Sequence, residues 1–467
     1  MSDQEADDAK AVETEEEATE EAETKPEAPK AKTGKKAQPS KAQQKLAARD
    51  SKGRGSRRKF LIAAAGGIGV GAAAVAYQAT RPVPPVTVRV DPQVDLGFYR
   101  RLGRTGLRVS AIGIGAGGLG GPDFVLRAVD AGLNYIDTSV CYGDSEVIIA
   151  DALKKRAGLR DKLIIATKWD VTQAWTKQRC LESLDKSLER LGVEQIDIMQ
   201  LHWLGGGHVS GDTGFNRLDN EEMYAAMEEA KKTGKVRFFG ATSHDQNRTP
   251  ILKHALEKDA FDMLLVKMNA LDYQGAGVDE LLAEARKRDV GVVAMKSQPS
   301  GRTMPPGFEG SRWDAYQANL RWCLAQPGVA CVVESGVGDD AKLQDAAIEA
   351  GRASFSQRDR ELLDEYLTAM SPHYCRGCDD ICGAACPEGI SIAAVNQFTM
   401  YERDYQWPER AKYHYRRLPQ AARWSDRCLT CNACSDACPH GFDAAGGVRR
   451  ARLRLDPSAD PSGIPIG

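Results

Sequence analysis

The chain lacks an excess of charge of either sign. Its 467 residues carry 63 Lys and Arg against 65 Asp and Glu, a net charge of −2. That balance excludes a general nucleic-acid binder, because phosphate binding needs a strongly basic surface. Aromatic residues are missing from the first 59 positions, where residues 1–30 hold twelve acidic side chains against three Lys. Residues 31–59 reverse this, with eleven Lys and Arg against one Asp. Without aromatics or apolar periodicity these segments cannot bury enough surface to offset chain entropy, so 1–55 is expected to be a disordered charged tail. Cysteine is sparse along most of the chain: four of the twelve, Cys141, Cys180, Cys323 and Cys331, lie outside the last 93 residues. They stand singly in apolar patterns. This excludes a disulfide framework and marks them as small buried hydrophobes.

What is present divides into three parts, in keeping with a length of roughly three domains at about 150 residues each. The first is an uncharged run, "FLIAAAGGIGVGAAAVA" at 60–76, preceded by Arg57 and Arg58. It matches the shortest membrane spans in length but is rich in Ala and Gly. "SRRKFL" resembles the twin-arginine translocation signal through Ser56, Arg57, Arg58, Phe60 and Leu61. The resemblance implies that 56–80 is an export signal or anchor engaging the Tat translocon, which carries proteins already folded. The chain would then be periplasmic or membrane-anchored; the alternative is a cytoplasmic protein with a chance Arg pair before a buried helix.

The second part is an alternation of strand and helix from 110 to 350, repeating at about thirty residues. Candidate strands are 110–116, 134–139, 163–168, 195–202, 236–242, 263–269, 290–296 and 330–335. Each precedes a stretch of helical periodicity, such as "TKQRCLESLDKSLERLG". Short strands apolar on both faces and joined by helices imply a parallel sheet, and eight such units are what a closed (β/α)₈ TIM barrel requires. Gly113, Gly115 and Gly118 do spell G-x-G-x-x-G, the dinucleotide-binding fingerprint of an open sheet. That motif needs its third Gly in the first turn of the helix, whereas Pro122 here is the natural first helical residue.

Barrel chemistry gathers where strands end. Four ionisable residues stand there on consecutive units: Asp137, Tyr142 just beyond it, Lys168 and His202. A free tyrosine, with a pKa near 10, is a poor acid–base at neutral pH; a nearby ammonium lowers that value, and a carboxylate keeps a buried ammonium charged. With His202 aligning a substrate oxygen, the set suits proton transfer to a carbonyl while hydride reaches its carbon. "NYIDTSVCYGDSE", "IIATK" and "DIMQLH" are similar to the signatures of the aldo-keto reductases, and "LGFYRRLGRTGLRVS" (96–110) resembles the hairpin that closes the barrel bottom in that family.

The resemblance implies a barrel over 96–370 that interconverts a carbonyl, an aldehyde, ketone or sugar, and an alcohol with NADP(H), Tyr142 acting as proton donor. It further implies cofactor contacts at Thr242, Ser243, Met295, Lys296, Gly336 and Lys342. Met295 stands where the family commonly has a Tyr stacked on the nicotinamide, Leu265 where it commonly has Gln, and Asp339-Asp340 is a poor neighbour for a 2′-phosphate. Trp169 and Trp203, with Trp175, are candidates to line a substrate pocket or else pack between barrel loops.

The third part carries Cys428-x₂-Cys431-x₂-Cys434-x₃-Cys438-Pro439 and Cys375-x₂-Cys378-x₃-Cys382-x₃-Cys386-Pro387. The first is the bacterial ferredoxin spacing, and the second has one extra residue in its second gap. Paired C-x₂-C motifs also make zinc sites, but zinc has no use for the Cys-Pro endings. Eight thiolates imply two [4Fe–4S] clusters, and in two-cluster ferredoxins the fourth Cys of each run ligates the other cluster. The expected sets are Cys375, Cys378, Cys382 and Cys438, and Cys428, Cys431, Cys434 and Cys386. The 41-residue gap between the runs is longer than a compact ferredoxin allows. It resembles the mainly helical ferredoxin domain fused to one branch of aldo-keto reductases, here placed at 371–450. The whole then reads as an oxidoreductase wired to a redox partner; the alternatives are a non-catalytic electron-transfer scaffold and a barrel that no longer uses nicotinamide.

Overall fold

The computed structural model describes residues 97–169, 175–205, 213–245, 247–273, 277–299 and 304–456. The charged tail and the 56–80 segment lie outside these residues. Among the described residues no helix is long and apolar enough to cross a membrane.

Two short strands, β1 (Tyr99–Arg101) and β2 (Arg108–Ser110), pair antiparallel as a hairpin. Eight parallel strands follow: β3 (Ile112–Gly115), β4 (Tyr135–Asp137), β5 (Ile164–Trp169), β6 (Ile196–Leu201), β7 (Val236–Ser243), β8 (Met263–Lys267), β9 (Gly291–Met295) and β10 (Val329–Glu334). They close in sequence order, with β10 pairing back onto β3. The alternation of strand and helix thus resolves into a (β/α)₈ barrel, and each strand lies within its expected stretch to within a residue. After β3, the helix α1 (Pro122–Asp130) begins with Pro at its first turn, four residues beyond Gly118. The glycines form a loop rather than a dinucleotide fold's helix start.

Inward side chains of six strands, Tyr135, Ala166, Ile198, Leu265, Val293 and Val333 among them, fill the barrel together with Leu102 and Val109 of the hairpin. The hairpin closes the barrel floor. Its turn needs Gly103, whose φ is +47° and whose hypothetical Cβ would stand 2.2 Å from the Gly291 nitrogen. Arg100 anchors the same end, donating to the carbonyls of Leu324 (2.8 Å) and Val329 (3.2 Å). Burial pushes its pKa down to about 10.

Outside the strands lie α2 (Ser145–Lys155), α3 (Lys177–Leu191), α4 (Glu221–Lys232), α5 (Arg248–Glu257), α6 (Val278–Lys287), α7 (Arg312–Leu324) and α8 (Ala341–Arg352). Thr176, Asn220, Ser311 and Asp340 cap four of them through side-chain oxygens. A further helix, α9 (Gln357–Met370), opens with a capping box at Ser356 and Asp359. The C-terminal region is helical: α10 (Ile392–Arg403), α11 (Pro408–Arg417) and α12 (Ala444–Leu455) pack on one another around one-turn segments that carry the cysteines. Of the four isolated cysteines, Cys180, Cys323 and Cys331 are buried, but Cys141 is exposed. Its neighbours turn the chain outward into the loop after β4, so apolar sequence context misjudged it.

Replacing Gly103 by Ala is expected to lower the apparent melting temperature sharply. It combines a left-handed backbone with a clash against backbone, a cost of about 2–4 kcal/mol. Gly106→Ala, with φ +69° but open space around it, costs only about 1 kcal/mol. Thermal melts followed by circular dichroism would rank the two; equal shifts would contradict the seating of Gly103 on β9.

Candidate active site

The strand register places the reactive groups. Asp137 pairs with Ala166 across β4 and β5, and Lys168, two residues further, pairs with Gln200 across β5 and β6. The Lys168 ammonium therefore rises to the same end of the barrel as the Asp137 carboxylate. It donates to Asp137 Oδ1 at 2.5 Å and to the Thr138 carbonyl at 2.6 Å. Gln200 donates to the other carboxylate oxygen at 2.7 Å. Lys168 is 1 % exposed and Asp137 4 %. An ion pair so buried must be closely matched to offset its desolvation. Burial alone would depress the Lys168 pKa, but Asp137 and Tyr142 reverse the shift and hold it above the ordinary lysine value.

Tyr142 lies above this pair, its ring centroid 4.8 Å from Lys168 Nζ. His202, just past β6, lies edge-on to it with ring centroids 6.0 Å apart. Its Nδ1 is 3.4 Å from Ser139 Oγ and 3.8 Å from Cys141 Sγ. All four residues thus meet at the C-terminal mouth of the barrel. One expectation is corrected. Burial raises the Tyr142 pKa and outweighs the lowering by Lys168 and Arg410, so the phenol stays above its usual value of 10. Tyr142 is consequently a neutral O–H donor at physiological pH, suited to giving a proton to a developing alkoxide.

A cavity of about 320 Å³ opens beside Asp137 and Tyr142. Its walls are the backbone of Gly115, Gly117 and Gly118 after β3, Met295 and Lys296 after β9, and Glu334 to Gly336 after β10. Burial raises the Glu334 pKa to about 7, against a lowering hydrogen bond from Ser297. Thr242 and Ser243 are buried at the end of β7; Ser243 donates to the Leu204 carbonyl, while the Thr242 hydroxyl has no partner. Met295 Sδ lies 3.2 Å from His244 Nε2. Lys342 is exposed on α8 and takes no part in the cavity wall. Trp169 is buried outside it, packed against Trp175 and Phe239. Trp203 instead stacks on His202 at 4.2 Å and lines a wider vestibule with Cys141 and Tyr142.

Part of the wall comes from the cysteine-rich region. Tyr405, Gln406, Trp407 and Arg410 border the cavity, and Arg410 with His414 borders the vestibule. Sequence reading missed all of these. The signal available was the long gap between the cysteine runs, which contains "YQWPERAKYHYRR". Tyr374, next to Cys375, fixes the dock from beneath by donating to Asp272 at 3.0 Å and accepting from Asn269 at 3.1 Å. Tyr405 donates to the Gln298 carbonyl at 3.2 Å. Three of the five non-glycine residues with positive φ among the described residues, Trp203, Lys296 and Gln406, stand around this mouth. Such backbone strain persists only where surrounding packing over-determines it, as at ligand sites.

The cysteines gather around two small hollows. One is bordered by Cys375, Cys378, Cys382 and Cys438, the other by Cys386, Cys428, Cys431 and Cys434. Each fourth cysteine has crossed to the other run's partners. The thiols ring these hollows rather than meeting at a point: among the described residues no three His, Cys, Asp or Glu side chains converge as ligands of a single ion. Burial pushes the thiols of Cys375, Cys382 and Cys434 up to about 12. The positive charge of a bound metal would favour the thiolate form at these positions.

Replacing Asp137 by Asn leaves the Lys168 ammonium buried without a counter-charge. The expected loss is about 3–5 kcal/mol of stability, read as a fall in apparent melting temperature; an unchanged melt would show that the pair contributes nothing.

Comparison with known proteins adds to this geometry. Residues 111–303 match the aldo/keto reductase family, and residues 374–442 match a 4Fe-4S dicluster domain. Among curated proteins the chain is 26 % identical over 323 residues to an uncharacterized oxidoreductase, YqkF, of Bacillus subtilis, covering 59 % of this chain and 95 % of that one. It is 37 % identical over 217 residues to L-galactose dehydrogenase of Arabidopsis thaliana, covering 42 % of this chain and 63 % of that enzyme. A solved aldo-keto reductase of Bacillus halodurans, in its holo form, superposes with a TM-score of 0.46 at 24 % identity, over 58 % of this chain and 96 % of that one. An aldo/keto reductase domain, built on a closed eight-stranded barrel, and a 4Fe-4S dicluster domain are therefore both present in this chain.

Proposed function

We propose that the protein interconverts a small carbonyl compound and its alcohol by hydride transfer, with Tyr142 as proton donor, coupled to electron exchange with a redox partner protein. The carrying observation is the neutral phenol of Tyr142 set above the Lys168–Asp137 pair in the wall of the cavity. In reduction, the carbonyl oxygen takes the Tyr142 proton as negative charge develops on it. The adjacent ammonium stabilises the phenolate left behind, and Asp137 keeps that ammonium charged and in place. His202, held beside the ring by Ser139 and Trp203, orients the oxygen.

The cavity fits a nicotinamide cofactor in part. Bare glycine backbone at Gly115, Gly117, Gly118 and Gly336 admits close approach, and the unpartnered Thr242 hydroxyl is a spare polar group at the end of β7. When bound, that cofactor supplies or accepts the hydride. Of the expected contacts, Met295, Lys296 and Gly336 line the cavity and would hold it; Thr242, Ser243 and Lys342 are not among its lining residues. The two cysteine hollows fit two [4Fe–4S] clusters, which when bound supply one-electron capacity. The similarity to L-galactose dehydrogenase favours a sugar-like or other small polar carbonyl. The "SRRKFL" segment supports export of the folded, cluster-loaded chain by the Tat translocon to the periplasm, soluble or membrane-anchored.

Tyr142→Phe should lower kcat for carbonyl reduction by about 10²–10⁴-fold, the usual worth of a positioned proton donor. Unchanged turnover would end this reading. Because the raised pKa keeps the phenol protonated, reduction should lose its proton donor only above pH 10 on the tyrosine limb. A tyrosine limb falling near neutrality would contradict the assignment. Elemental analysis should find about eight irons per chain, with zinc as the contrary result.

A further inference from the structure

Two half-buried cations, Lys296 and Arg410, face the cavity without an acidic partner, while a third lining cation, Arg312, is exposed. Lys296 donates its one hydrogen bond to the Tyr401 hydroxyl at 3.0 Å, and its ammonium lies 4.1 Å from the Tyr401 ring centroid and 5.3 Å from that of Tyr405. Arg410, in the first turn of α11, has its guanidinium carbon 5.3 Å from the Tyr142 ring and 5.7 Å from the Trp203 ring. Both approach the ring of Trp407, at 5.8 and 5.4 Å. Among the described residues neither forms a salt bridge. Two like charges near one indole repel, and aromatic faces compensate an ammonium or guanidinium only in part. Burial, with the Arg410 charge next, drives the Lys296 pKa well below its ordinary value.

The nearby acids are otherwise engaged. Asp137 holds Lys168. Asp272 receives the Tyr374 hydroxyl, with Lys267 at 3.5 Å and Arg248 at 3.7 Å. Glu409 turns outward to Lys412 at 2.7 Å, Glu334 accepts from Ser297, and Asp339 is exposed at the rim. Uncompensated cations in a confined apolar setting are costly unless a ligand supplies the missing charge. Arg410 borders both the inner cavity and the vestibule, and its guanidinium carbon lies 5.3 Å from the centroid of the Tyr142 ring.

We propose that the site takes a carbonyl substrate bearing a carboxylate, and that Arg410, delivered by the iron–sulfur region, grips that carboxylate with Lys296 beside it. The inference rests on the carbonyl chemistry proposed above and names its substrate class. The C-terminal region then does more than hold clusters: it completes the specificity pocket of the barrel. Arginine suits this role because its planar fork meets a carboxylate through two donors.

The test compares succinic semialdehyde with butanal, four-carbon aldehydes that differ by one carboxylate, using the full, cluster-loaded chain. Wild-type protein should favour succinic semialdehyde in kcat/KM by about 10-fold or more, and Arg410→Gln should collapse that ratio by roughly 10- to 100-fold, the worth of a charged hydrogen bond. Arg410→Lys should restore part of the ratio, which a merely structural defect would not allow. Calorimetric binding of 4-hydroxybutanoate against 1,4-butanediol supplies a readout independent of turnover, and the acid should bind more tightly. Equal kcat/KM for the two aldehydes would overturn the inference and leave the carbonyl reading standing. Turnover of neither aldehyde, with 4-hydroxybutanoate binding abolished in Arg410→Gln, would instead sink the carbonyl reading and keep the carboxylate site. A loss in Arg410→Gln confined to NADPH affinity would assign the cations to the cofactor's phosphates and also overturn it.

Discussion

A charged lysine that cannot reach water governs this molecule. Lys168 is buried in the barrel wall, and its ammonium is tolerable only because Asp137, the Thr138 carbonyl and the register that aligns β4 with β5 surround it. The need to satisfy that charge fixes the end of β4 and draws Gln200 onto the spare carboxylate oxygen. It also sets the electrostatic floor beneath Tyr142. The phenol sits low enough in the mouth that burial, rather than the ammonium, decides its protonation. The phenol thus stays neutral at physiological pH, with the Lys168 ammonium 4.8 Å from its ring centroid.

The second constraint is the seating of the C-terminal region on the barrel. Its contacts are polar and specific: Tyr374 to Asn269 and Asp272, Lys296 to Tyr401, Tyr405 to the Gln298 carbonyl. Residues from both regions therefore share one mouth, and three of its members hold left-handed backbone that an unsupported loop would abandon. In this arrangement the cysteine hollow bordered by Cys375 adjoins the residues that anchor the dock. Barrel and cysteine-rich region thus share the walls of one cavity.

How much of this was legible beforehand follows from the range of each interaction. Strand positions were readable because burial on both faces writes itself as local apolar runs. Asp137, Lys168 and His202 were readable because strand ends recur at a fixed place in each unit. The crossing of Cys386 and Cys438 to opposite hollows was legible from the likeness of both runs to two-cluster ferredoxins, in which the fourth Cys serves the other cluster. What escaped depends on distant packing. Cys141 looks buried in sequence yet emerges in a loop. Trp169 looks like a pocket residue, but pairs with Trp175 and Phe239 outside the mouth. The net direction of the Tyr142 shift and the arrival of Trp407 and Arg410 from some 260 residues downstream have no local signature.

The central claim is that nicotinamide chemistry in the barrel and the clusters of the C-terminal region communicate. The most direct measurement is the visible absorption of anaerobically purified protein as NADPH is added. The account predicts that the broad iron–sulfur band bleaches with NADPH alone. A band that ignores NADPH but bleaches with dithionite would contradict it, leaving clusters present but the barrel's cofactor disconnected from them.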